Sequence, residues 1–87
     1  MYRIIFYEKS GSSPVWDFLE ELRAKAATNK DARIQYKQML LHIQLLQENG
    51  RKLPESMLKH LQNDIWELRP GNNRILLFFW EDRKSVV

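Results

Sequence analysis

Three charged residues in the C-terminal third, Glu67, Arg69 and Arg74, have the types and spacing that phosphate chemistry needs. In the segment Ile65–Arg69 the period is two, which puts Ile65, Glu67 and Arg69 on one face of a strand and Trp66 and Leu68 on the other. Pro70-Gly71-Asn72-Asn73 is turn chemistry. In a hairpin closed there, Arg69 and Arg74 become cross-strand neighbours, with Cα atoms about 5 Å apart. Like charges so placed repel unless an anion bridges them, and two readings follow. Either Glu67 neutralises one arginine and the set is a solvated face, or the two planar forks await a phosphate, whose oxygens they match bidentately.

Other candidates are weaker. His60 has the pKa class of a general base, yet a histidine beside Lys59 is also simply solvated. Arg51 and Lys52 add basic groups suited to salt-dependent, sequence-independent backbone contacts. Trp66 and Trp80 could stack on bases, but their place on apolar strand faces favours the core. The sequence has no cysteine and two histidines, His42 and His60, so thiolate chemistry and a zinc-thiolate site are excluded. No phosphate-binding glycine loop, metalloprotease helix, nucleophile elbow or calcium loop is present. No metal and no cofactor are therefore expected.

The elements that must hold these residues read from the N-terminus. Residues 2–7 are aromatic and β-branched, a first strand. Ser13-Pro14 starts a helix, with a hydroxyl N-cap and proline at the first helical position. Behind it Val15, Phe18, Leu19, Leu22 and Ala26 form one apolar stripe. Thr28–Asp31 breaks that helix and caps the next. There Ala32, Tyr36, Met39, Leu40, Ile43 and Leu46 repeat the helical period, Leu41 and Leu45 widen the stripe, and Gly50 closes it.

A short helical segment is expected over Ser56–Leu61, then the strand Ile65–Arg69. Arg74–Trp80 is apolar on both faces, as a central strand covered by helices would be. Glu81–Lys84 reads as a polar turn and Ser85-Val86-Val87 as the start of a further strand. The expected class is α+β: an N-terminal strand and a two-helix antiparallel hairpin packed on one face of a small antiparallel sheet.

At 87 residues the chain is expected to be one domain, 1–87. Hydrophobic residues make up 44% and charged residues 29%, a globular and not a disordered composition. With 14 basic residues against 11 acidic the net charge is +3, a mild lean toward an anionic partner such as nucleic acid. The longest apolar run, Ile75–Trp80, is too short for a membrane span, and the N-terminus lacks the features of a signal peptide. The expected location is the cytoplasm.

The stretch Leu53-Pro54, Leu58-Lys59-His60-Leu61 and Trp66-Glu67-Leu68-Arg69-Pro70-Gly71-Asn72-Asn73-Arg74-Ile75 resembles the signature region of the phage-derived, HigB-like (Gp49-like) branch of RelE/ParE toxins of type II toxin–antitoxin systems. The N-terminal strand, helical hairpin and Phe78-Phe79-Trp80 match that family's RelE-like layout, so the resemblance runs through the whole chain. It implies an mRNA endoribonuclease that acts at the ribosome without a metal, through attack of the substrate's own 2′-hydroxyl on the adjacent phosphate. Arg74 matches the family arginine on the scissile phosphate, and Arg69 its partner. Glu67 stands where some relatives carry a catalytic lysine. Lys59 and His60 match a basic pair that precedes the strand, and Lys52 and Arg51 would extend the RNA contact.

The implied partners are translated mRNA on the ribosome and a cognate helix-turn-helix antitoxin, in a toxin–antitoxin heterotetramer. Relatives continue with another strand and a terminal helix, so the resemblance implies a C-terminally truncated toxin with an uncovered sheet edge. Two alternatives stay open: a non-catalytic toxin remnant that binds its antitoxin and co-represses the operon, and a ParE-type gyrase inhibitor.

Overall fold

A computed structural model of the chain describes residues 2–80 and 84–87. Among these residues the order is β1 (Arg3–Ile5), α1 (Pro14–Lys25), α2 (Lys30–Asn49), a 3-10 turn (Gly50–Lys52), β2 (Leu58–Gln62), β3 (Ile65–Leu68), β4 (Ile75–Trp80) and β5 (Lys84–Val86). The sheet order is β1-β5-β4-β3-β2. The fold is α+β, with both helices on one face of the sheet, consistent with a RelE-like fold.

Local chemistry explains the helix boundaries. Pro14 begins α1, and Ser13 precedes it in extended conformation. Asn29 caps α2 by accepting from the Ala32 amide at 3.0 Å. Gly50 ends α2 at φ +56, where an added Cβ would run into the Tyr2 ring.

Four sequence expectations need correction. The segment expected as a short helix, Ser56–Leu61, is a turn followed by strand β2. Met57 and Leu58 amides reach back to the Pro54 carbonyl, and Leu58–Gln62 then pairs with β3. Five residues carry little periodicity, and the unpaired backbone along the outer side of β3 decides their state. The sheet is also mixed rather than antiparallel, because β1 runs parallel to β5 while β2 to β5 form an antiparallel meander.

The third concerns α2, where Leu40 and Leu41, placed in the apolar stripe, are exposed. Met39 and Leu46 of the same stripe are fully buried, as expected. A stripe of that width exceeds what one sheet face can cover. The fourth is β4, which is central in the sheet but covered on one side only. Ile75 and Leu77 are buried while Leu76, Phe78 and Trp80 stand exposed. Of the expected polar turn Glu81–Lys84, residues 81–83 lie outside the described residues, and Lys84 belongs to strand β5.

The core joins Leu19 and Leu22 of α1, Met39 and Leu46 of α2, and Leu58, Leu68, Ile75 and Leu77 of the sheet. Alternation then sorts the residues of β3 and β4. Trp66, Leu68, Ile75, Leu77 and Phe79 face the helices. Ile65, Glu67, Leu76, Phe78 and Trp80 face away.

Candidate anion-binding site on the open sheet face

Register builds the site. β2 and β3 pair Lys59 with Glu67, and β3 and β4 pair Glu67 with Leu76, so Lys59 and Glu67 share the open face. The same register, Glu67 to Leu76 and Leu68 to Ile75, continued by one residue sets Arg69 opposite Arg74 just past the paired segments. Arg69 is fixed by its own backbone, whose amide donates to the Met57 carbonyl at 2.9 Å.

The turn that carries Arg74 is tied to α2. The Asn73 amide donates to the Pro70 carbonyl at 3.0 Å, and Gly71 takes φ +60 at the first central position, as in a type II′ turn. Asn73 Nδ2 donates to Gln35 Oε1 at 3.2 Å, and Gly71 lies against the Gln38 side chain. Arg74 Nη1 donates to the carbonyls of Gly71 and Asn73 at 2.8 and 2.7 Å, which fixes the guanidinium on the turn.

Both arginines converge on one carboxylate oxygen. Glu67 Oε1 lies 3.5 Å from Arg69 Nε and 3.7 Å from Arg74 Nε. These distances make ion pairs but sit at or beyond the limit of hydrogen bonding. Arg69 Nε is buried and has no hydrogen-bond acceptor. One carboxylate facing two guanidiniums and the Lys59 ammonium leaves the cluster positive. Its capacity is for an anion that supplies short, aligned acceptors, and a phosphate does so with two oxygens per guanidinium.

The remaining sequence candidates lie elsewhere. His60 is on the helix-facing side, stacked on Trp66 with ring centres 4.5 Å apart, and its Nε2 is 2.6 Å from the Asn63 carbonyl. Arg51 lies over the Phe79 ring at 4.5 Å, next to Trp66, and Lys52 is exposed in the adjoining 3-10 turn. The structure thus brings Lys59 to Glu67, Arg69 and Arg74, and groups His60 and Arg51 around an aromatic row behind the sheet. Of the two tryptophans, Trp66 packs against the core while Trp80, expected there, is 53% exposed. Gln35 and Gln38, which hold the turn, carried no sequence signal; contact between elements far apart in the chain reveals them. Among the described residues no group of histidine, cysteine or carboxylate side chains is arranged to hold a metal.

Comparison with protein families supplies the affiliation. Residues 17–87 match the model of the phage-derived Gp49-like protein family. The chain belongs to this family. The match takes in α1 from Asp17 onward, the whole of α2 and all of the Glu67–Arg74 cluster. The Gp49-like family is a RelE/HigB-like toxin family, and its toxin–antitoxin character implies an antitoxin partner. No curated protein matches the chain. Among the described residues of this Gp49-like chain, no helix is long and apolar enough to cross a membrane.

Proposed function

We propose that this Gp49-like chain is the toxin of a type II toxin–antitoxin pair and cleaves translated mRNA at the ribosome. The observation that carries this reading is the pair of arginines converging on Glu67 Oε1. In the reaction, the 2′-oxygen of the substrate forms a bond to the adjacent phosphorus as the bond to the 5′-oxygen breaks. The products are a 2′,3′-cyclic phosphate and a 5′-hydroxyl. Arg69 and Arg74 neutralise the charge that develops on the non-bridging oxygens, the largest contribution fixed donors make in such a site.

Glu67 orients both guanidiniums through Oε1, Oε2 is then the oxygen that takes the 2′-hydroxyl proton, and solvent water gives the departing 5′-oxygen its proton. Lys59 engages the neighbouring phosphate. Lys52, Arg51 and His60, on the other side of the sheet, engage ribosomal RNA or the message farther along. The toxin acts in the cytoplasm as one domain, 1–87, and a helix-turn-helix antitoxin covers the basic face in a heterotetramer. Arg74→Ala should abolish growth arrest and mRNA cleavage; unchanged cleavage would overturn the assignment.

One observation favours a second reading, a toxin that binds its antitoxin and co-represses without cutting RNA. His60, the histidine nearest the cluster in sequence, lies on the opposite face from the arginines. Purified protein that binds antitoxin yet leaves translated mRNA intact would decide for it.

A further inference from the structure

The open face does not end at the arginines. Beyond Arg74, alternate residues of β4 continue along it as Leu76, Phe78 and Trp80, which are 59%, 38% and 53% exposed. Two adjoining depressions share Tyr7, Phe78 and Val86; one, lined by Arg74, reaches round β4 to Pro14 and Val15 at the start of α1, and the other is lined by Trp80, so one apolar trough connects them. Tyr7 is 52% exposed at its wall, and Lys84 places its ammonium 5.0 Å from the centre of the Trp80 ring. Among the described residues Arg74 and Glu8 line the trough, and beyond Arg74 the same face carries the Lys59, Glu67 and Arg69 cluster.

We propose that this trough binds the bases of single-stranded RNA on one side of the reacting phosphate, with Phe78 and Trp80 as stacking surfaces. The inference rests on the ribonuclease reading and adds to it a base-binding track. Three features argue for RNA over a protein segment. Ring faces alternate along the strand about 7 Å apart, so each meets a separate unstacked base. Arg69 and Arg74 stand at one end of the apolar row, where a strand's phosphates would pass. The row also starts at the anion site, so a single nucleic-acid strand can occupy both. A base-paired duplex hides the ring faces that this surface would contact.

The test uses the full chain and a fluorescein-labelled, nine-nucleotide 2′-O-methyl RNA, which cannot be cut, single-stranded or paired with its complement. Fluorescence anisotropy gives the affinities, and circular dichroism melts check that each variant folds. Single-strand affinity should fall by about 5- to 100-fold in Trp80→Ala and in Phe78→Ala, the range for loss of one stacked base. Trp80→Phe, which keeps a ring, should stay close to wild type, and the duplex should bind less tightly than the single strand. Wild-type affinity in both alanine variants overturns the proposal. So does a loss confined to antitoxin binding, which would make the trough a protein-docking surface.

Cleavage of translated mRNA is scored separately. Cleavage that depends on Arg74, with RNA affinity indifferent to Trp80 and Phe78, overturns the trough and keeps the ribonuclease. RNA binding that depends on Trp80, without cleavage, keeps the trough and overturns the ribonuclease.

Discussion

Arg69 Nε lies 3.5 Å from Glu67 Oε1, buried and without a hydrogen-bond acceptor. A buried donor left in that state costs about 1–3 kcal/mol. The cost is tolerable at a site whose ligand supplies the acceptor, and Arg74 shares the same carboxylate oxygen at 3.7 Å. Glu67 therefore separates two charges that would otherwise repel, without satisfying either. The cluster is preorganised and still positive, which is the condition for binding and stabilising a phosphate.

Charge removal at the centre distinguishes a working site from a solvated face. Glu67→Gln keeps the shape and takes away the one negative charge between the arginines. RNA should bind more tightly, about 3- to 10-fold at low salt, while cleavage falls by about 100-fold or more for loss of a general base. Anisotropy and single-turnover cleavage measure the two separately. If neither changes, Glu67 is only a neutraliser and the RNA lies elsewhere.

The arginines should differ in what their loss does to the protein. Arg74 is held by turn carbonyls just before the start of β4, whereas Arg69 Nε is buried against Glu67. Arg74→Ala should abolish cleavage with a melting temperature within a few degrees of wild type. Arg69→Ala should also lower cleavage, and removing its unsatisfied donor should leave stability unchanged or raise it slightly. A calorimetric melt beside the cleavage assay checks both. A large drop in melting temperature in Arg74→Ala would mean that its carbonyl contacts hold the turn.

The turn itself should be sensitive at Gly71. At φ +60 a side chain is strained, and a Cβ would also press on Gln38. Gly71→Ala should destabilise by about 1–3 kcal/mol and lower cleavage by moving Arg74. Adding Gln38→Ala removes the contact but not the backbone strain, so denaturant melts should show partial recovery. Full recovery would mean that the contact alone is responsible.

Leu68 anchors the site to the core. It is fully buried on the strand that carries Glu67. Leu68→Ala should cost about 2–5 kcal/mol, a large share of the roughly 5–15 kcal/mol available to a domain. Urea denaturation measures it, and a loss under 1 kcal/mol would show that the helices close over the gap.

His60 should affect stability more than cleavage. Its ring stacks on Trp66 on the helix side, so His60→Ala should leave single-turnover cleavage within about 3-fold of wild type, below the 100-fold expected for loss of a general base. A bell-shaped pH profile that loses one limb in His60→Ala would place the histidine in the reaction.

The sequence by itself determined the helix hairpin, the alternation that separates Glu67 and Arg69 from Trp66 and Leu68, and the turn that faces Arg69 with Arg74. These depend on local signals: capping residues, periods of 3.6 or two, and a proline-glycine turn, each acting over a few residues. Three matters were decided by the tertiary structure alone. β2 is a strand because the outer edge of β3 lacked a hydrogen-bond partner, a demand that Leu58–Gln62 does not announce. His60 and Lys59 are neighbours in the chain yet fall on opposite faces, because a strand turns successive side chains to opposite sides where a helix would not. The both-sided apolarity of Ile75–Trp80 suggested a strand covered twice, but two helices cover only one face. Hydrophobicity reports what a residue can bury, and only packing decides whether anything is there to bury it. That difference leaves Phe78 and Trp80 exposed beside the arginines.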